Sequence, residues 1–182
     1  SADAAAGRRG LTRRLGGGLA PAELAGIGKG VGADVPYCGL GGTVLATGRG
    51  EEVTPLPGLP ACYVVLAKPG FPVSTPELFA PLEGRRLRWP PDTAGMLSAL
   101  EGGDLQGGAR RLFNMFEEVL LPRRREQVEE LKQALLDAGA LGASMTGTGP
   151  TVFGMFREEE RAAAAWEALK GRCPDVFLCR SL

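Results

Sequence analysis

The chain has 182 residues, with 21 Lys and Arg balancing 21 Asp and Glu and no histidine. Zero net charge removes the excess of cations by which nucleic acids and anionic membranes are held. The absence of histidine excludes Ser-His-Asp and Cys-His nucleophile systems, His-bearing zinc sites and HExxH helices built from this chain alone.

From Ser1 to about Leu15 the pattern predicts a helix. Ser1 is a residue of N-cap type, and Asp3 lies in the first turn, where the helix dipole favours an anion. A helix start of that kind, with no methionine before it, is expected of a chain with a further part upstream. Gly16 to Gly18 break the pattern, and Pro21 opens a second short helix at the position where its missing N–H costs nothing. Gly42 to Leu56 alternates and is rich in β-branched residues, which predicts a strand, a turn at Gly48-Arg49-Gly50 and a second strand. The proline-rich stretch Pro55 to Pro60 marks a domain boundary, dividing residues 1–58 from 59–182.

Cys62 to Lys68 reads as a buried strand, followed by a loop from Pro69 to Pro76. Two long helical patterns come next. One runs from Asp104 to about Leu121 and is ended by Pro122; the other runs from Arg124 to about Ala138 and is ended by Gly139. The last part predicts a strand (about Leu141 to Met145), a turn (Thr146 to Pro150), a strand (Thr151 to Phe156), a helix (Glu158 to Lys170) and a strand (Val176 to Cys179). Elements mixed in this order predict an α+β fold, with one face of a sheet covered by helices. Cys38, Cys62, Cys173 and Cys179 form no CxxC pair, so neither a metal site nor a disulfide framework is indicated, and a reducing cytoplasm is expected. The longest apolar stretch, Ala61 to Ala67, falls far short of the roughly 20 residues that span a bilayer, so no membrane partner is expected.

Four features bear on chemistry. Gly28 to Ala33 fits G-x-G-x-x-A in letters, but it follows a helix and opens none, so the dinucleotide reading fails in context. Thr146-Gly147-Thr148-Gly149-Pro150 joins two strands; on residue types alone it is first an ordinary hairpin turn, and otherwise a turn offering backbone N–H groups and two hydroxyls to an anion. Asp34, between a helix end and Pro36, reads as a turn or cap residue, or as a base with no histidine to compete with it. Thr75 and Phe79 lie four apart. On a short helix begun by Pro76 they share a face and offer a hydroxyl beside an aromatic plane; the alternative is a capping threonine and a core phenylalanine.

In order along the chain, GADVP at 32–36, GGTVLATGRGEEVTPLP, VVLAKPGFPVSTPELF at 64–79, NMFE at 114–117 and GASMTGTGPTVFGMF at 142–156 resemble the GHMP kinases. TGTGPTVF is similar to the third motif of that family generally. GADVP followed by KPGFPVSTPELF resembles its diphosphocytidyl-methylerythritol branch, and SADAAA resembles the tail of its Gly-rich phosphate loop. The resemblance implies a two-domain fold, present here as the end of the N-terminal domain (1–58) and a ferredoxin-like C-terminal domain (59–182). It implies transfer of a phosphoryl group from ATP, with Mg²⁺, to a small cytidine-diphosphate-linked alcohol in a bacterial cytoplasm, by a monomer or homodimer. Asp34 then matches the catalytic aspartate, and Thr75 and Phe79 match the lining of the cytosine pocket. Ser1, Gly147, Thr148 and Gly149 match phosphate-side positions, and no residue matches a protein ligand for the metal.

The family's lysine partner of the aspartate, its histidine and its adenine pocket belong to a portion preceding Ser1, so catalysis by these 182 residues alone is not expected. Two other readings stay open: a non-catalytic remnant of the fold, and a GHMP kinase for another small molecule. Without the strands that complete its domain, the segment before residue 59 is expected to expose apolar surface and unpaired strand edges. Limited proteolysis should therefore leave a C-terminal core of roughly 120 residues, whereas uniform resistance along the chain would contradict the division.

Overall fold

A computed structural model describes residues 37, 42–48, 50, 52–82 and 90–181. The helices expected before residue 33, together with Ser1, Asp34 and Cys38, lie outside the described residues. The chain divides into two compact units, Ser1–Gly58 and Leu59–Leu182.

In the first unit β1 (Thr43–Thr47) and β2 (Glu52–Leu56) form an antiparallel hairpin, with Thr43 opposite Leu56 and Thr47 opposite Glu52. The turn is closed by the Gly50 N–H donating to the Thr47 carbonyl at 3.0 Å.

The second unit begins with β3 (Tyr63–Lys68), followed by a short helix α1 (Thr75–Phe79), α2 (Thr93–Glu101), α3 (Leu105–Ala109), a 3₁₀ turn (Met115–Val119) and α4 (Pro122–Asp137). Then come β4 (Gly142–Met145), β5 (Val152–Phe156), α5 (Glu159–Leu169) and β6 (Asp175–Arg180). The sheet order is β4-β5-β3-β6 with every pair antiparallel. A β-α-β-β-α-β chain order on such a sheet is the ferredoxin-like arrangement.

The helix boundaries follow local chemistry. Pro122 occupies the first turn of α4, where its missing N–H has no helical partner anyway. At the other end Gly139, at φ 95°, turns the chain. Its N–H donates to the Leu136 carbonyl and the Ala140 N–H to the Leu135 carbonyl, a Schellman closure that satisfies two carbonyls the helix leaves free. Val128, Leu131 and Leu135 then fall on one stripe of α4, and Ala162, Ala165 and Leu169 on one stripe of α5. Both stripes pack on the face of the sheet that carries Val65, Ala67, Val152 and Phe156, and this is the main core.

Two expectations are corrected. The pattern from Asp104 to Leu121 is not one helix: α3 ends at Ala109, and a separate 3₁₀ turn starts after Asn114. Gly107 and Gly108 weaken the helix interior, the Asp104 carboxylate caps the Gly107 N–H at 2.9 Å, and Asn114, in extended conformation, opens a new N-terminus. The sheet is also not covered on one face alone. Leu105 and Ala109 of α3 pack with Cys62 and Met155, flanked by Val64 and Phe153, on its other face. That contact needs Gly142, because a Cβ there would collide with the Ala109 carbonyl oxygen. Helix α2, which the sequence pattern did not single out, is capped by Asp92, whose carboxylate accepts from the Gly95 N–H and from the Arg111 guanidinium. These two partners, in that order, hold its carboxyl below the ordinary range.

Phe156 is fully buried in the main core. Phe156→Ala should cost about 3–5 kcal/mol in urea unfolding, whereas Leu136→Ala, at a side chain 40% exposed, should stay within about 0.5 kcal/mol.

Candidate functional site

Helix α1 is short and starts abruptly. Ser74 is extended at its N-cap and Pro76 sets the first turn. One side chain of the helix, Leu78, enters the core at 5% exposure, which turns the neighbouring Phe79 outward to 53% exposure. Phe79 is therefore not a core residue. Its ring is supported from one side by Phe116, with centroids 5.0 Å apart and planes at 68°, an edge-to-face contact that suits the aromatic quadrupole. Thr75 lies at the start of the same helix. Its hydroxyl stands 3.2 Å from that of Thr148, close enough for a hydrogen bond across 73 residues of sequence.

Thr148 belongs to the connection between β4 and β5. The Thr146 N–H donates to the Thr151 carbonyl at 2.8 Å, and the Gly149 N–H to the Thr146 carbonyl at 2.9 Å. This is a hairpin connection, as the residue types suggested. Gly147 and Gly149 have φ values of 55° and 79°, and a Cβ on Gly149 would strike the Met145 side chain. Among the described residues, the N–H groups of Gly147 and Thr148 find no acceptor. With the two threonine hydroxyls they form a donor-rich turn beside an exposed aromatic ring, a set that fits an anionic oxygen joined to a planar apolar group. Among the described residues no group of three His, Cys, Asp or Glu side chains could hold a metal ion. The described donors thus suit a phosphate-bearing ligand.

Asn114 is a site residue that sequence reasoning left without a role. Its side-chain oxygen caps the Phe116 N–H at 2.9 Å, and its Nδ2 donates to the carbonyls of Met145 at 2.7 Å and Gly147 at 2.8 Å. The signal for the cap was present, since Asn is a preferred N-cap residue. The two long-range bonds had none. Asp34 and Ser1 lie outside the described residues, so only Thr75, Phe79, Gly147, Thr148 and Gly149 are brought together here.

Comparison with known proteins gives the following relatives. The family described as GHMP kinases C terminal matches residues 96–175. The 4-diphosphocytidyl-2-C-methyl-D-erythritol kinase of Listeria monocytogenes is 41% identical over 180 residues, covering 99% of this chain and 61% of the relative. The protein of that name from Enterococcus faecalis is 42% identical over 182 residues, covering all of this chain and 64% of the relative. Among solved structures, a 4-(cytidine 5'-diphospho)-2C-methyl-D-erythritol kinase superposes with a TM-score of 0.77 at 27% identity, over 98% of this chain and 63% of that one. The homoserine kinase of Cytophaga hutchinsonii gives a TM-score of 0.67 at 22% identity, over 94% and 61%, a likeness of fold alone. The chain is thus similar to the C-terminal region of the GHMP kinases. Its curated homologues at about 41% identity are 4-diphosphocytidyl-2-C-methyl-D-erythritol kinases, and it spans about 61% of their length.

Asn114→Ala removes both bonds to the 145–147 carbonyls and the cap on Phe116. It should cost about 1–3 kcal/mol of stability and speed hydrogen exchange at the Gly149 N–H ahead of the amides of β3 and β5; unchanged exchange in the turn would contradict the tether.

Proposed function

We propose that this protein serves the transfer of the ATP γ-phosphoryl group to the 2-hydroxyl of 4-diphosphocytidyl-2-C-methyl-D-erythritol, in the bacterial non-mevalonate route to isoprenoid precursors. Its relatives of that name, 41% identical over 99% of this chain, support the reading. The observation that carries it is the 3.2 Å contact between Thr75 and Thr148. It joins STPELF, the segment that resembles the diphosphocytidyl branch in particular, to the glycine turn that resembles the third motif of all GHMP kinases.

In this reading the exposed face of Phe79 stacks on the cytosine ring. A base has a π-face to offer, and a non-nucleotide substrate would need no such platform. Thr75 bounds the same pocket. Thr148 and the N–H groups of Gly147 and Thr148 receive phosphate oxygens, and Ser1 belongs to the phosphate loop on the ATP side. Asp34 takes the proton of the acceptor hydroxyl as the bond to phosphorus forms. A carboxylate suffices there because phosphoryl transfer depends mainly on positioning and electrostatic stabilisation. ATP bound with Mg²⁺ supplies the phosphoryl group and the cation that offsets its charge. No observation favours homoserine or mevalonate as the acceptor, since the solved structures of those kinases are only 22% and 20% identical to this chain.

The test is turnover of 4-diphosphocytidyl-2-C-methyl-D-erythritol by the purified protein with ATP and Mg²⁺, beside Asp34→Ala and Phe79→Ala. Where the protein turns the substrate over, loss of turnover in the first variant, and a KM raised about tenfold at little cost in kcat in the second, are expected from a proton acceptor and a stacking wall worth roughly 1–3 kcal/mol. Absent turnover with cytidine-dependent protection around Phe79 would leave the acceptor pocket standing and place the ATP site in a further part of the protein. Absence of both would overturn the assignment.

A further inference from the structure

Behind the glycine turn lies a half-buried charge that the reaction itself does not use. Glu117, in the 3₁₀ turn, spends both carboxylate oxygens within the fold. Oε1 accepts from the Met145 N–H at 2.8 Å and from the Ser144 hydroxyl at 3.1 Å, and Oε2 accepts from Lys132 Nζ at 2.6 Å. The two side chains are only 13% and 19% exposed, and Ser144 is buried at 4%. Lys132 comes from α4, where it also meets Glu129 at 3.4 Å.

The placement has a structural reason. Among the described residues β4 is an edge strand, so its outward N–H and C=O groups have no described strand to pair with. At Met145, the last residue before the turn, Glu117 takes the N–H and Asn114 takes the carbonyl. Phe116, which lies between them in the chain, supports Phe79. One short segment therefore holds the start of the glycine turn and the back of the aromatic wall. A half-buried ion pair costs desolvation that apolar residues of similar size would avoid, so the stability it adds does not by itself account for its presence. Its charge-assisted bonds are short and directional, and here they set where the turn begins.

We infer that Glu117, with Lys132 as its counter-ion, is a positioning residue for the phosphate-binding turn, acting through Met145 and Ser144; this rests on reading the turn as the substrate's phosphate site. Glu117→Gln is the informative change. The amide oxygen can still accept from Met145, but the amide N–H₂ then meets the Lys132 ammonium, donor against donor. Lys132→Met removes that conflict, so the double variant should recover what the single one loses.

The experiment records amide NMR spectra and the affinity for 4-diphosphocytidyl-2-C-methyl-D-erythritol and for cytidine alone. Expected for Glu117→Gln are displaced Gly147, Thr148 and Gly149 resonances, unmoved β3 and β5 resonances, about a tenfold loss of affinity for the full substrate, and less than about a twofold change for cytidine. Glu117→Gln with Lys132→Met should return the turn resonances and bring the affinity to within about threefold of the parent. Unmoved turn resonances and unchanged substrate affinity in Glu117→Gln would overturn the inference. So would loss of the β3 and β5 resonances, or a double variant that recovers nothing. If the parent protein binds neither ligand, the functional reading falls, and the turn resonances still decide whether Glu117 positions the turn.

Discussion

A sheet edge that carries a functional turn must satisfy its own backbone without the help of another strand, and the second unit is arranged around that requirement. Unpaired backbone groups that are shielded from water cost free energy comparable to a lost hydrogen bond. At the end of β4 the Met145 N–H and C=O are taken by Glu117 and Asn114, side chains from a 3₁₀ turn that precedes the strand by one helix. The turn that follows, Thr146 to Pro150, then starts from a fixed point. Its own hydrogen bonds, between Thr146 and Thr151 and between Gly149 and Thr146, need only complete the hairpin. Among the described residues the N–H groups of Gly147 and Thr148 take no part in this pairing.

The helices behind the sheet make that fixed point rigid. α4 supplies Val128, Leu131 and Leu135 to the core, and the same helix supplies Lys132 to Glu117. Successive residues of a helix point about 100° apart, so Leu131 can enter the core while Lys132 reaches the ion pair at its border. The aromatic wall has the same dependence. Leu78 anchors α1 in the core and Phe116 braces the outward ring of Phe79. Neither the wall nor the turn owes its position to flexible surface side chains.

How far this was readable from the sequence depended on whether the deciding contact was local. The hairpin of residues 43–56, the strand at 63–68, the helix between Pro122 and Gly139, and the strand-turn-strand-helix-strand series from 142 to 180 each carry their punctuation within a few residues, and the structure shows each of them. The pattern from Asp104 to Leu121 misled because its apolar spacing suits a helix, while Asp104 and Asn114 act as caps that divide it. Coverage of the second sheet face depended on how closely Gly142 lets α3 approach, and nothing local announces that. The same holds at the site. Thr75 and Phe79 could be singled out by their spacing and by resemblance. The bonds of Asn114 and Glu117 to residues about 30 positions further on are tertiary, and only the fold brings those residues together.

The strength of the polar contacts falls from the interior toward the ligand side, and that gradient suits a binding turn. The bonds of Glu117 with Lys132 and Met145 are charge-assisted and mostly shielded from water, where such bonds are about twice as strong as neutral ones. The contact between Thr75 and Thr148 is neutral, exposed and at 3.2 Å, and a bond of that kind contributes about 0.5–1.5 kcal/mol net. A ligand oxygen can take either hydroxyl in exchange for the other with little loss. It cannot displace the Met145 N–H from Glu117 without leaving a half-buried charge and its counter-ion poorly paired. The outer hydroxyls are therefore free to trade partners, while the backbone that presents them stays where the carboxylate holds it.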